Sequence, residues 1–224
     1  MLQHTKARTQ FALALLGASF ASILLFLYGA YRNHSLEFGY FIWNLFLAWL
    51  PFLFAIWLVA TLRRKLWSSW EAILASVLWL LFLPNSFYMV SDFIHLYDVK
   101  RVDVLYDAVM FSSFIFVGVF LGFCSLYMVH RELHKRFTRK GSAGFLAVIF
   151  LLCGFAIYLG RDLRWNSWDI LTNPGGLLFD VSDRLLHPSA YPQMFLTIGS
   201  FMVLIASMYT LTWKTVQLLR SSEK

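Results

Sequence analysis

Asn85, Tyr88, Asp92 and His95 follow one another at spacings of three, four and three, which stacks all four on one face of a helix. An amide, a phenol, a carboxylate and an imidazole on one stripe are groups that can bind a polar ligand and move a proton. Asp92 would orient or ionise His95, and His95 would act as a general base. Alternatively the two would ligate a metal, but an Asp-x-x-His pair supplies only two ligands and does not close a site. Asp103 and Asp107, one turn apart, are the candidates for completing it. The ordinary account of those two is stabilisation of a helix N-terminus, which suits the more deeply placed Asp107 less well.

A second block, Tyr158-Leu-Gly-Arg-Asp-Leu-Arg-Trp-Asn-Ser-Trp-Asp169, carries different chemistry. Arg161 and Arg164 can share a face, and guanidinium forks match phosphate or carboxylate oxygens in pairs. Asn166 and Asp169 add polar groups for the same ligand, and Gly160 allows close backbone approach. The competing account is an aromatic belt of Trp165 and Trp168 with snorkelling arginines paired to Asp162 or Asp169.

The elements that must position these groups are membrane spans. Hydrophobic residues make up 59% of the 224-residue chain and charged residues only 14%, against about 25% charged in soluble domains. A spanning helix needs roughly 20 apolar residues. Six such windows fall at 11–31, 37–61, 71–92, 105–129, 143–161 and 190–213, leaving no room for a separate soluble domain. The expected fold is all-α, a polytopic membrane helix bundle forming a single membrane domain over 1–224. The first apolar run continues to Tyr31, longer than a cleaved signal's core, and reads as a retained helix.

Charge sets the orientation. Of 19 Lys and Arg, 13 lie at the N-terminus, in 63–65, in 131–140 and after 213. The positive-inside rule then puts both termini in the cytoplasm. All eight aspartates fall on the opposite side or at its membrane edge, with Glu37, His34, His95 and His187. Nucleic acid is disfavoured as a partner, because the net charge of +7 is accounted for by topology. The cluster from Arg131 to Lys140 would at most add contact with anionic lipid. Cys124 and Cys153 lie within spans and read as small apolar packing groups.

Pro84 comes ~18 Å up a ~30 Å apolar layer, where it removes a backbone hydrogen bond and kinks the third span. Asn85 and Ser86 would repair that break. Asn44 and Pro51 make the second span polar and kinked in the same way, with Asn44 expected to hydrogen-bond towards the Asn85 region as helix–helix glue. In the longest loop, 166–189, Asn173-Pro174-Gly175-Gly176 is a turn and helix start. After it Leu177, Leu178, Val181 and Leu185 form an apolar stripe opposite Asp180, Asp183, Arg184 and His187. That pattern predicts a short interfacial helix on the outer leaflet, a cap over the bundle or plain surface packing.

Three stretches together, Asn44-Leu-Phe-Leu-Ala-Trp-Leu-Pro51, Leu83-Pro-Asn-Ser-Phe-Tyr-Met-Val-Ser-Asp-Phe-Ile-His95 and Ile157 to Asp169, resemble the bacterial membrane-protein family catalogued as domain of unknown function 1361. The resemblance covers roughly residues 40–210 and leaves out the first helix. Ser86-Phe87 stands where that family's pattern has Ala-Pro, and Asp162 where it has an apolar residue; neither change removes a candidate ligand. The resemblance implies a multi-pass protein of the bacterial plasma (inner) membrane and brings no activity or cofactor with it.

The expected function is an outward-facing polar site that binds, and would process, an anionic lipid or lipid-linked substrate, with the bilayer as its surroundings. In it Arg161, Arg164, Asn85, Tyr88, Asn166 and Asp169 hold the ligand, and His95, Asp92 and Asp107 do acid–base work. Two other classes stand beside it. One is a transporter or channel in which Asp92 or Asp107 carries a proton or cation. The other is a structural or assembly subunit of a membrane complex with a protein partner.

Overall fold

A chain this apolar must satisfy its backbone groups internally, and helices do so segment by segment. The computed structural model describes residues 2–96, 104–166 and 168–222. Its elements are α1 (Leu2–Asn33), α2 (Tyr40–Thr61), α3 (Trp70–Tyr88), a 3-10 segment (Met89–Leu96), α4 (Val104–His134), α5 (Arg139–Asp162), the single turn α6 (Asp169–Thr172), α7 (Pro174–Leu186), a 3-10 turn (Pro188–Ala190) and α8 (Pro192–Ser222). There is no strand among the described residues. Six helices are long and apolar enough to cross a membrane: Thr9–Asn33, Tyr40–Thr61, Trp70–Leu96, Val104–His134, Arg139–Asp162 and Pro192–Ser222.

These spans match the six expected windows, with differences at the ends that have local causes. The second begins at Tyr40 rather than 37, because Leu36 to Gly39 form a turn closed by Gly39 N–H to the Leu36 carbonyl. The third runs on to Leu96, because the helix tightens into 3-10 geometry after Tyr88 instead of ending at Asp92. Asp98 and Asp103, with Lys100 and Arg101, lie outside the described residues.

α4 is the central post. Its most apolar window is 61% buried, against 22% for α1 and for α8, which flank the bundle. α1 and α2 pack on α4, α3 packs on α2, α4 and α5, and α8 packs on α5. Two glycines set the closeness of α3 to α4. A methyl at Gly118 would lie 2.5 Å from Met89 Sδ, and one at Gly122 would lie 2.8 Å from Ser86 Cβ. The backbone just beyond Pro84 therefore seats directly on α4, and Ser86 donates to the Ala48 carbonyl of α2 at 3.3 Å.

With Ala75, Trp79, Leu83, Ser86, Phe87 and Met89 turned inward and buried, the other face of α3 points away from α4. That phase decides where the polar residues go. At the end of the bundle remote from the cavity, an aromatic cluster joins α4 to α8. There His130 Nδ1 lies 2.8 Å from the Tyr209 hydroxyl, and the His130 ring is 4.1 Å from that of Trp213. Cys153 is buried in the α5 core, as its apolar setting predicts.

Candidate functional site

Four α2 residues, Tyr40, Trp43, Asn44 and Leu47, occupy one helical face at i, i+3, i+4 and i+7. Across from them stands the outward stripe of α3 and its 3-10 extension. Between the two, with the end of α5 as third wall, lies a cavity of ≈ 850 Å³. Asn85, Tyr88, Asp92 and His95 all line it. The change to 3-10 geometry keeps them together, because residues three apart eclipse in that helix and His95 stays above Asp92.

The second polar block reaches the same cavity. Arg161, Arg164, Trp165, Asn166 and Trp168 line its other side, and Arg161 Nη1 donates to the Ser91 carbonyl at 3.4 Å. The two blocks, 70 residues apart in this contact, thus line one cavity. They meet because α5 packs along α3 and its last turn ends level with the 3-10 segment.

Asp92 is only 2% exposed, a costly place for a carboxylate. Its Oδ2 accepts a hydrogen bond from Asn44 Nδ2 at 3.0 Å, and the Arg161 guanidinium acts on it electrostatically. The sequence reading put Asp92 to work on His95. In the structure Asp92 takes its hydrogen bond from Asn44, and His95 sits edge-on to the Tyr40 ring at 5.5 Å between centroids. The Tyr40 hydroxyl is buried without a hydrogen-bond partner in the wall of the cavity. Asn85 serves two purposes: its Nδ2 donates to the Phe82 carbonyl at 3.1 Å, one turn back in the helix that Pro84 interrupts, and its side chain lines the cavity.

The arginines are not paired in the way a membrane anchor would pair them. Neither Arg161 nor Arg164 has a carboxylate within ion-pair distance among the described residues. Asp162 is exposed. Asp169 is occupied elsewhere, accepting from Asn166 N–H at 2.6 Å and the Thr172 hydroxyl at 3.0 Å, so it braces the loop rather than lining the cavity. The Asn166 N–H, foremost among these bonds, holds the Asp169 carboxyl below the usual carboxylate range. Arg164 stands just past the end of α5 in the left-handed region, φ 60°, a position usually given to Gly or Asn.

Asp107 does not join the cavity. It is buried, 1% exposed, on the α4 face that also carries Met110, Phe111 and Phe114. Helical phase turns that face into the packed interior, whereas the cavity lies on the side of α3 facing away from α4. Among the described residues no three His, Cys, Asp or Glu groups come close enough to hold a metal ion. The set of Asp92, His95 and Asp107 is therefore not a ligand cluster.

α7 touches the cavity through Leu177, while its polar side is tied to Tyr158, Trp165 and Tyr191. Asn173 caps it, its Oδ1 accepting from Gly176 N–H at 3.1 Å, with Pro174 at the first helical position. Arg184, 8% exposed, holds the Asp180 carbonyl at 2.9 Å and the Tyr158 hydroxyl at 3.4 Å and lies 4.8 Å over the Tyr191 ring. Trp165 Nε1 donates to Asp180 Oδ2 at 2.7 Å. Asp183 accepts from the Tyr191 hydroxyl and bonds His187, which together hold its carboxyl below the usual range, the Tyr191 bond most strongly. The apolar residues Leu178, Phe179, Leu185 and Leu186 are exposed, while Leu177 reaches the cavity.

Sequence reasoning missed Tyr40 and Trp43 as wall residues and read Asn44 only as glue between spans. The signal was the i, i+3, i+4, i+7 order, hidden because Trp and Tyr are common at membrane interfaces for other reasons.

The chain matches the family model described as protein of unknown function (DUF1361) over residues 43–208, and it belongs to that family. No curated protein and no solved structure matches it significantly.

Proposed function

We propose that this member of the DUF1361 family binds an anionic amphiphile by its headgroup in the cavity between α2, α3 and α5. In this reading the aspartate-rich end of the bundle faces away from the cytoplasm of a bacterial cell, across its plasma membrane. The headgroup belongs to a phospholipid, a lipid-linked sugar or a lipoprotein.

One observation carries the reading: two arginines line a single cavity with no carboxylate within ion-pair distance among the described residues. Arg161 is half-buried and Arg164 exposed at the rim, so solvent screens the second more than the first. Together they favour a phosphate-like ligand, which guanidinium forks can grip by paired hydrogen bonds. Tyr40, Tyr88 and Asn85 supply neutral hydrogen-bonding groups around the same space, and Asn166 does so at its rim. Asp92 and His95 are the titratable groups a bound headgroup would meet, and they would accept the proton in any hydrolytic step. Transport is less well supported, because towards the bundle interior the cavity ends on Leu47, Leu81, Ala156 and Ile157, which offer no polar path.

Native mass spectrometry from nanodiscs doped with phosphatidylglycerol tests this, with the Arg161→Ala/Arg164→Ala variant alongside. A discrete bound lipid retained by the wild type and lost in the variant is expected. Identical spectra for the two proteins would sink the headgroup reading, and a stoichiometric protein partner in both would favour an assembly role instead.

A further inference from the structure

We infer that the apolar chain of the bound amphiphile lies in a lateral groove on α3 between α2 and α5, so that the ligand slides in sideways from the bilayer. This deepens the headgroup reading above and rests on it.

The groove follows from how the spans pack. α3 touches α4 behind it and has α2 and α5 on its flanks, while α2 and α5 have at most marginal contact with each other. The front of α3 is therefore left uncovered. Its stripe passes from Ile73 and Val77, 51% and 56% exposed, to Leu81 in the cavity wall and then to Asn85, Tyr88 and Asp92. Polarity changes along one continuous surface, from lipid-like to charged.

The flanking walls suit a chain. On α5, Leu152, Ala156 and Gly160 repeat at four-residue spacing on one face, Leu152 exposed and the other two lining the cavity. Small residues at Ala156 and Gly160 keep that wall thin. On α2, Leu47 faces them. Above, Trp43 of α2 meets Trp168 edge-on, 6.1 Å between ring centroids, so a pair of indoles stands over the mouth of the cavity. Among the described residues the sideways path along α3 has no such pair of indoles.

Charge complementarity chooses the occupant. The apolar groove leads directly beneath Arg161 and Arg164, so a molecule filling both must be apolar at one end and anionic at the other. A cavity of ≈ 850 Å³ lies near the top of the range for whole small-molecule ligands, about 300–1,000 Å³. It has room for a headgroup and the first part of a chain.

The test compares two ligands that share a headgroup, dimyristoyl phosphatidylglycerol and water-soluble glycerol phosphate, on wild type and on Val77→Trp and Leu152→Trp, groove positions outside the cavity lining. Filling the groove should weaken the lipid by about tenfold or more, because burial of only a few methylenes is lost, and leave glycerol phosphate binding unchanged. A phosphatidylglycerol with a mid-chain diazirine is photolysed on the wild type in parallel, and should label the peptides holding Leu47, Leu81 and Leu152. If wild type binds glycerol phosphate but the filled variants take the lipid equally well, the groove is wrong and the headgroup site stands. Chain label found only on α1 and α8 overturns the groove in the same way. If wild type binds neither ligand, the headgroup reading fails and takes the groove with it.

Discussion

Asn44 Nδ2 on α2 donates to Asp92 Oδ2 on the 3-10 segment at 3.0 Å, joining residues 48 apart in the chain. The bond does two things. It gives a buried carboxylate a donor, and it ties the start of α2 to the extension of α3, holding the cavity walls at a set distance.

Replacing Asn44 by Leu should therefore destabilise the protein by about 1–3 kcal/mol, since it strands a buried acceptor. The double change Asn44→Leu/Asp92→Leu should recover much of that loss, because both partners become apolar together. Thermal unfolding in detergent, read as a double-mutant cycle, checks it; purely additive losses would mean that the bond carries no coupling.

Arg164 offers a way to separate fold from function. Its left-handed backbone, φ 60°, costs an ordinary residue roughly 1–2 kcal/mol. Arg164→Gly should leave thermal stability unchanged or slightly raised while weakening anionic-lipid binding. A variant that binds as wild type would remove Arg164 from the site.

The close seating of α3 on α4 predicts intolerance at two glycines. Gly122→Val would drive side-chain atoms into Ser86 and Phe87, already 2.8–3.0 Å from a single added methyl. Overpacking of this kind costs about 1–3 kcal/mol. Loss of folded yield or a lowered unfolding temperature is expected, whereas the same substitution at Gly144 or Gly199, which have open space beside them, should be tolerated.

The docking of α7 should depend on acid. Asp183 has its carboxyl pKa lowered by the Tyr191 and His187 bonds. A group depressed in the folded state contributes stability that is present above its unfolded value, about 3.9, and is lost as pH falls through the lower folded value. Protection of the amides in 174–186, taken as exchange relative to the intrinsic chemical rate at each pH, should fall below about pH 4. In Asp183→Asn that acid-induced step should be missing.

Much of the bundle was legible because its signals are local. Twenty-odd apolar residues in a row make a span in any context, and the windows 143–161 and 105–129 both fall wholly inside observed helices. The cap at Asn173 and the stripe of α7 were readable for the same reason. Boundaries were less so: the helix tightens after Tyr88 and continues to Leu96 instead of stopping at Asp92, and Asp92 there takes its hydrogen bond from Asn44 of another span.

The sequence alone determined the spans, their polar stripe at Asn85, Tyr88, Asp92 and His95, the arginine block at Arg161 and Arg164, and the family. These rest on composition and spacing, which act over one or two helical turns. Only the tertiary structure decided that the two polar blocks share a cavity, that α2 walls it as well, and that Asp107 belongs to the packed interior instead. Those outcomes depend on the rotation of each helix about its axis. That rotation is set by side-chain fit between distant segments, here Met89 and Ser86 against Gly118 and Gly122, which no local pattern encodes.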